Sequence, residues 1–289
     1  MGDLPRRVVT DSMIGLTMPD IGPLSDRVTV ILGQNPGPAT GPGTNTYLVG
    51  TSHQPLLLDT GQGLPQYVPI LERGLRETRG GKTLQEIVLT HGHMDHQGGV
   101  KSVRERFGPL RVSKKPWNKL DGALEVSAID EGSELTTDGA TLQGLWTPGH
   151  SWDHLCFYMP EEKALFSGDI VLGAGTTVIP TDGDLGDYLR SLRRLLTLEL
   201  DLIYPAHGPV IRNPREKIEA YLAHRQLRDE QILEGLRDGV RRIPALVKCI
   251  YTDVPEFLHD AAAMSVLAHL RKLEREGLVE HDGDDWSPR

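Results

Sequence analysis

The chain has 289 residues, 38% of them hydrophobic, and a formal net charge of −9 at pH 7. A chain of this length buries a substantial core, and one catalytic domain with a small appendage is its natural division. The negative charge disfavours diffuse nucleic-acid binding, which relies on Lys and Arg to neutralise phosphates. The two cysteines, Cys156 and Cys249, indicate a reducing compartment rather than a disulfide framework.

No apolar run approaches the roughly 20 residues that cross a bilayer, so we expect no membrane association. The first seven residues contain an acid, a proline and no long apolar stretch, which is not the pattern of a secretory signal. We therefore expect a cytoplasmic protein, with the mitochondrial matrix as the alternative, and a monomer or homodimer.

Short apolar strands dominate the first two thirds of the chain, and helical patterns fall between them. The predicted strands cover residues 28–32, 46–49, 55–58, 86–90, 110–113, 124–128, 140–146, 155–159, 164–168 and 202–204. The predicted helices cover residues 67–79, 100–107 and 185–198. Such a mixture is typical of two packed sheets with helices outside.

After Pro214 the pattern becomes helical. Helices are predicted over residues 215–235, 244–251 and 255–276, and a short strand over 278–281. This order is similar to that of a winged-helix unit, a fold that often binds nucleic acid. Three aspartates crowd the predicted wing at positions 282, 284 and 285, so we expect a structural or substrate-shaping role. The predicted domains are therefore residues 1–212, which are catalytic, and residues 213–289.

Residues 90–99 read THGHMDHQGG and place four candidate metal ligands within six positions: His91, His93, Asp95 and His96. Imidazole nitrogens and carboxylate oxygens are ligands that a catalytic zinc ion accepts. In an ordinary core such groups would lack partners. They follow a buried-strand pattern, so they lie on the loop that leaves that strand. The run therefore predicts a metal site.

Three later segments also end a strand-like run on a possible ligand. TPGH ends on His150, SGD ends on Asp169, and PAHG carries His207. A glycine adjoins or lies beside each ligand, which lets the backbone turn and aim the side chain. One such segment is weak support, whereas four of the same design in one chain indicate a two-metal centre.

The succession HxHxDH, PGH, SGD and PxHG resembles that of metallo-β-lactamase-fold hydrolases, whose fold is an αββα sandwich. The runs NPGP at 35–38, GTNTYLVG at 43–50 and GAGTTV at 173–178 narrow the resemblance to the β-lactamase-like protein 2 group. Animal members of that group are single-strand-selective endoribonucleases. The likeness extends from about Val28 to near the C-terminus. It implies an α+β protein: an αββα metallo-β-lactamase sandwich with a small C-terminal helical winged-helix-like domain.

The resemblance also implies two divalent metal ions, zinc first, with manganese or iron as alternatives. The ligands implied for one ion are His91, His93 and His150. Those implied for the other are Asp95, His96 and His207, with Asp169 bridging both ions. Asp59 is expected to orient a ligand histidine from behind. For His154, four residues after His150, a similar supporting role and a core role are both open.

The family mechanism implies attack of a metal-bridging hydroxide on phosphorus or on a carbonyl carbon, with Asp95 orienting the hydroxide and moving its proton. The first hypothesis is endoribonuclease-type cleavage of single-stranded RNA, with Asn45, Thr176 and Thr177 as candidate phosphate contacts. The second is hydrolysis of an acyl thioester, as in glyoxalase II or polyketide-releasing thioesterases. Gly92 favours the second, because animal members are expected to carry Trp there and glycine is expected to open space beside the metals. A metal-stabilised binding module is the weakest reading, because none of the implied ligands is lost.

Overall fold

Two β-sheets packed face to face form the centre of the molecule. The structure is a computed structural model, and it describes Met13 and residues 15–252 and 254–289. The first sheet has seven strands in spatial order: β1 Ile21–Pro23, β2 Val28–Leu32, β3 Asn45–Val49, β4 Leu56–Leu58, β5 Ile87–Val88, β6 Val112–Lys114 and β7 Ser127–Ala128. The second sheet contains five strands, each next to its neighbours along the chain: β8 Glu134–Thr137, β9 Ala140–Trp146, β10 Leu155–Met159, β11 Ala164–Gly168 and β12 Leu202–Pro205. The strands β8 and β12 form its two edges. The prediction about residues 1–7 lies outside the described residues.

The helices before residue 213 are α1 Tyr67–Arg79, α2 Met94–Gln97, α3 Val100–Phe107, α4 Asn118–Asp121 and α5 Leu185–Leu195. The helices α1 and α3 cover the outer face of the first sheet, and α5 covers that of the second. The start of α5 is defined by its N-cap, because the Asp184 side chain accepts a hydrogen bond from the backbone N–H of Asp187. Its buried leucines at 185, 189 and 192 recur at helical spacing and face the sheet. Within the described ranges no helix combines the length and the apolar character that a membrane crossing requires.

Three apolar layers hold this sandwich together. The layer between the sheets includes Val30, Tyr47, Leu58, Leu142, Phe157 and Phe166. A second layer lies between the first sheet and the helices α1 and α3, and it includes Leu57, Leu71, Ile87 and Val103. A third lies outside the second sheet and includes Leu165, Leu189, Leu192 and Ile203. The predicted αββα arrangement and α+β class are confirmed.

The C-terminal part contains α6 Pro214–Arg237, α7 Ile243–Ile250, a 3₁₀ turn Glu256–Leu258 and α8 His259–Arg275. A hairpin of β13 Val279–Asp282 and β14 Asp285–Pro288 follows. The sequence analysis missed β14, because Asp285–Pro288 is short, mostly polar and ends in proline. The hairpin nevertheless closes a separate small core, since Val279 and Trp286 pack with residues of α6, α7 and α8. This is the expected winged-helix arrangement.

The helix α6 belongs to both parts of the chain. Its N-terminal half contributes Ile218 and Tyr221, each 1% exposed, to the layer outside the second sheet. Its C-terminal half contributes Ile232 and Leu236 to the winged-helix core. The sandwich is therefore incomplete on this face without residues that follow position 213.

This shared packing generates a stability prediction. Ile218→Ala should reduce the free energy of unfolding by about 2–5 kcal/mol, because it removes buried methyl groups and leaves a cavity. Urea denaturation monitored by circular dichroism measures the change. Glu219→Ala, on the exposed side of the same helix, should change stability by about 0.5 kcal/mol or less. Equal effects of the two substitutions would show that α6 does not support the sandwich.

Candidate metal centre

The four ligand-bearing segments meet at one end of the two sheets. The loop after β5 carries His91 and His93 and leads into α2, which carries Asp95 and His96. His150, Asp169 and His207 follow β9, β11 and β12. The strands β11 and β12 are parallel neighbours, so their carboxyl ends lie side by side. The structure thus brings together all seven residues that the sequence singled out.

The first cluster consists of three imidazoles. The Nε2 atoms of His91 and His150 lie 3.0 and 2.9 Å from Nδ1 of His93. Their nitrogen atoms therefore surround one point closely enough to share a cation, and the three residues form a group that could hold a metal ion. His93 presents Nδ1 where the other two present Nε2, and it lies in extended conformation directly before α2.

The second cluster mixes imidazole and carboxylate. Oδ2 of Asp95 lies 3.4 Å from Nε2 of His96 and 3.3 Å from Nε2 of His207. These three residues also form a group that could hold a metal ion. Asp95 and His96 are consecutive residues at the start of the short helix α2, so their separation is fixed by local geometry.

Asp169 lies between the two clusters. Its Oδ1 atom is 3.5 Å from Nε2 of His96 and 3.2 Å from Nε2 of His207. Its Oδ2 atom is 3.4 Å from Nε2 of His150. One carboxylate therefore faces both clusters, one oxygen to each, which is the arrangement that the bridging assignment requires.

Asp59 supports the second cluster from behind. Its Oδ2 atom lies 2.8 Å from Nδ1 of His96, which leaves Nε2 of that histidine facing the cluster. The same carboxylate accepts hydrogen bonds from the backbone and the hydroxyl of Thr90. Asp59 has a φ angle of 59°, an uncommon value for a residue other than glycine. That strained conformation after β4 aims the carboxylate at the loop that carries the ligands.

Two hydrogen bonds that involve histidine rings position His150 of the first cluster and the Asp169 carboxylate. Nδ1 of His150 lies 2.8 Å from the carbonyl oxygen of Val178, which leaves Nε2 free to face the cluster. Nε2 of the fully buried His154 accepts a hydrogen bond from the backbone N–H of Asp169. His154 is therefore a positioning residue for the carboxylate between the clusters. The sequence had left this role and a core role open.

The pKa values differ between the two clusters. Burial lowers the pKa of His150 to about 4, although the Asp169 carboxylate opposes that shift. Burial and the nearby His96 lower the pKa of His91. Burial alone would lower the pKa of His207, but the Asp169 carboxylate raises it to about 9. Without a cation His91 and His150 are thus neutral imidazoles, while protons on His96 and His207, whose pKa values are raised by the neighbouring carboxylates, balance the negative charge of the second cluster.

These properties fit divalent cations. Nε2 of His96 and Oδ1 of Asp169 are buried, and neither has a hydrogen-bond partner among the described residues. Leaving such atoms unpaired is costly, and a cation between them would satisfy both. Metal ligation requires neutral imidazole and ionised carboxylate, so a cation would displace the protons of the second cluster. The donor set of nitrogen and oxygen atoms without sulfur is compatible with zinc, manganese or iron.

Two of the three predicted phosphate contacts have other partners in the structure. Asn45 is 2% exposed and donates hydrogen bonds from its side-chain amide to the carbonyl oxygens of Pro205 and Gly208. Thr177 is equally buried, and its hydroxyl donates to the carbonyl oxygen of Asp169. Both side chains therefore hold ligand-bearing loops, and their predicted contact with a substrate phosphate stays a prediction. Thr176 is half-buried, and its predicted contact with substrate stays a prediction.

The expectation that Gly92 opens space beside the site was wrong. A Cβ atom added at this position would lie 2.7 Å from Cβ of Leu120 and 3.1 Å from Oδ2 of Asp153. The absence of a side chain leaves no space beside the site, because α4 fills it. The sequence could not show this approach, since residues 92, 120 and 153 are distant along the chain.

Sequence reasoning also missed residues next to the site. The Thr44 hydroxyl lies 3.3 Å from Oδ2 of Asp95, and the Asn35 side chain fixes Thr44 through its backbone N–H and its hydroxyl. Oδ2 of Asp182 lies 3.6 Å from Nε2 of His93. Thr44 and Asn35 lie in runs that the sequence analysis used only for the family resemblance. Asp182, by contrast, stands in a loop with no local signal.

The helix α6 contacts the loop that supports the first cluster. The Arg225 guanidinium, 2% exposed, donates a hydrogen bond to the carbonyl oxygen of Thr177 and lies over the Tyr188 ring. The hydroxyl of Tyr221 donates to the carbonyl oxygen of Gly175 at 2.8 Å. The next residue after Thr177 is Val178, whose carbonyl oxygen faces His150. The C-terminal part thereby holds the backbone that orients a candidate ligand.

Comparison with known proteins gives the family. Residues 39–207 match the model of the metallo-beta-lactamase superfamily, and residues 243–286 match that of the beta-lactamase associated winged helix domain. A beta-lactamase-like protein 2 homolog of Caenorhabditis elegans is 40% identical over 264 residues, which are 89% of this chain and 88% of that protein. The chain belongs to the metallo-beta-lactamase superfamily.

Two further similarities place the chain within this family. The lactamase-like protein nscB of Arthroderma benhamiae is 40% identical over 278 residues, which are 91% of this chain and 62% of that protein. The crystal structure of a metallo-beta-lactamase family protein from Thermus thermophilus is similar over 92% of this chain and 100% of that protein's chain, at 26% identity and a TM-score of 0.79. The resemblance inferred from the sequence is thus confirmed.

The position of Asp169 generates a prediction about metal content. Asp169→Ala should lower the metal bound from two ions per chain toward one and abolish hydrolysis, because it removes the carboxylate that faces both clusters. Metal analysis by mass spectrometry after gel filtration measures the stoichiometry. A variant that kept two ions and full turnover would remove Asp169 from the bridging role.

The contact between Arg225 and Thr177 generates a second prediction. Arg225→Met should weaken binding of one metal ion by about 10–100-fold, because the loop that orients His150 loses its support. Competition with a chelator measures the affinity. Arg228→Met is the matched control, since this arginine of the same helix lies over Tyr251 and not against the loop. Equal affinities in both variants would limit Arg225 to a role in packing.

Proposed function

We propose that this superfamily hydrolase is a binuclear metal-dependent enzyme, with His91, His93 and His150 as ligands of one ion and Asp95, His96 and His207 as ligands of the other. The observation that carries the proposal is the Asp169 carboxylate, which has one oxygen toward each cluster. Zinc is the first candidate metal, with manganese and iron as alternatives.

The proposed mechanism uses the chain's own groups to move a proton. When bound, the ions supply Lewis acidity and a hydroxide nucleophile at neutral pH. The side chain of Asp95 is 25% exposed, so a substrate can approach it. Burial alone would raise its pKa, but His96 and His207 hold that pKa well below the usual range. The ionised carboxylate, positioned by the Thr44 hydroxyl, would orient the hydroxide and relay its proton toward the leaving group.

The first candidate substrate is single-stranded RNA. Support comes from the resemblance to the β-lactamase-like protein 2 group and from the 40% identity with the Caenorhabditis elegans homolog. A second line of support is the exposed Trp152, two residues after His150. Single-stranded RNA is recognised largely by stacking of unpaired bases on aromatic rings. Stacking requires less positive charge than phosphate binding, in keeping with a net charge of −9.

The second candidate is an acyl thioester. It is favoured by the exposed apolar side chains around the site, which we call the rim. Met94, Trp152 and Val178 are three of the five exposed large hydrophobic residues in the described ranges, and each is close in sequence or by hydrogen bond to a candidate ligand. Two nearby cations are already paired: Lys114 with Asp153, and Lys115 with Asp130. Apolar side chains around the site suit an acyl group.

One experiment separates the two substrates. Metal-loaded protein and its Asp95→Ala variant would be assayed in parallel on a labelled single-stranded RNA and on a panel of acyl thioesters. The proposal expects RNA cleavage that falls by about 100-fold or more in the variant, with silent thioesters. Asp138→Ala, in the exposed turn between β8 and β9, serves as the matched control and should retain activity. Thioester turnover that depends on Asp95, with intact RNA, would replace the first candidate by the second.

A further inference from the structure

Three of the four tryptophans in the chain form one cluster. The ring centroid of Trp152 lies 5.9 Å from that of Trp117 and 6.0 Å from that of Trp146. Trp152 is 42% exposed, although tryptophan contributes much favourable energy when buried. A tryptophan exposed to this extent beside a candidate active site is a feature that substrate binding would explain.

Two contacts connect this cluster to the metal centre. Trp152 lies in the loop between His150 and His154, which is held at both ends by the site. Trp117 directly precedes α4, whose Leu120 backbone accepts a hydrogen bond from the Gln97 side chain of α2 at 2.9 Å. The tryptophans thus stand on segments that pack against both sets of candidate ligands.

A hydrogen bond and two cation–π contacts hold the cluster together. The indole N–H of Trp146 donates to the carbonyl oxygen of Trp152 at 2.8 Å. The ammonium group of Lys115 lies 4.9 Å from the ring centroid of Trp146 and 4.8 Å from that of Trp152. Such cation–π contacts fix the rings, so a flat ligand that stacks here loses little entropy in ordering them.

Lys119 offers a positive charge beside the rings. Lys119 is exposed, lies 5.2 Å from the Trp117 ring and makes no ion pair within the described ranges. Lys115, by contrast, is neutralised by Asp130 at 2.6 Å. One free ammonium group next to aromatic rings suits a ligand with flat rings and an occasional negative charge. It does not suit a ligand held chiefly by its phosphates.

We propose that Trp152, with Trp117 beside it, forms a stacking subsite for an unpaired nucleobase next to the bond that is cleaved. This inference rests on the proposed action on single-stranded RNA. The Trp152 ring supplies affinity for any base, and Lys119 reaches the phosphate that adjoins the stacked nucleotide. The subsite therefore selects single strands without selecting sequence, because bases within a duplex already stack on one another.

The test compares three variants of the metal-loaded full-length protein. Trp152→Leu keeps apolar volume without a ring, Trp152→Phe keeps a smaller ring, and Leu278→Ala removes an exposed apolar side chain from the C-terminal part. The substrate is a labelled single-stranded oligouridine. We expect the Leu variant to raise KM by about tenfold while kcat and metal content stay within about twofold. The Phe variant should restore most of the loss, and Leu278→Ala should match the unsubstituted protein.

A binding measurement complements the kinetics. Oligouridine should quench the tryptophan fluorescence of the unsubstituted protein, and the quenching should shrink in Trp152→Leu. An abasic sugar–phosphate chain of equal length should quench neither protein. Equal quenching by the two chains would overturn the subsite, because it would show that phosphates and not bases are recognised.

The outcomes separate this inference from the proposed function. RNA cleavage with the same KM in all variants would overturn the subsite and leave the endoribonuclease standing. Base-dependent quenching that requires Trp152, without cleavage, would support the subsite and overturn the endoribonuclease. Neither binding nor cleavage of RNA would overturn both. If Trp152→Leu raised KM for an aromatic acyl thioester and not for RNA, that acyl group would replace the nucleobase as the occupant of the subsite.

Discussion

The arrangement of the site depends on how the negative charge of one buried carboxylate, that of Asp169, is compensated. Asp169 is 8% exposed, and its two oxygens face imidazoles from three different segments of the chain. Burying such charge is costly unless cations or protons compensate it. His207 and His96 supply protons in the absence of a metal, and their positions also suit metal ligands. The requirement for compensation thus explains why these ligand-bearing segments converge on one point with Asp169.

The surrounding residues maintain that convergence mainly through backbone carbonyl groups. Asn45 binds carbonyls on either side of His207, and Thr177 binds the carbonyl of Asp169 itself. The helix α6 adds the contacts of Arg225 and Tyr221 from outside the sandwich. The winged-helix part is therefore structurally joined to the metal centre. Its hairpin carries aspartates at positions 282, 284 and 285, and the expected structural or substrate-shaping role of this part stays a prediction.

The surface around the site differs in character from its interior. The interior concentrates charge, whereas Met94, Trp152 and Val178 make the rim apolar. Specificity would then come from the shape and ring character of the substrate, with the metals acting on the bond to be cleaved. This division of roles is compatible with both candidate substrates, since a nucleobase and an acyl group each present apolar surface. The net charge of −9 limits any role for long-range attraction of phosphates.

The sequence by itself predicted the candidate ligands and the architecture; the structure brings the candidate ligands together and confirms the architecture. The ligands stand at the ends of apolar strands, and both strand periodicity and ligand chemistry are local properties that a sequence displays. Only the tertiary structure showed that Asn45 and Thr177 hold loops, that Leu120 fills the space beside Gly92, and that α6 supports the first cluster. These facts concern residues far apart along the chain, and Gly92 illustrates the reason. Whether a missing side chain leaves a gap depends on what packs against it, and that neighbour is chosen by the fold.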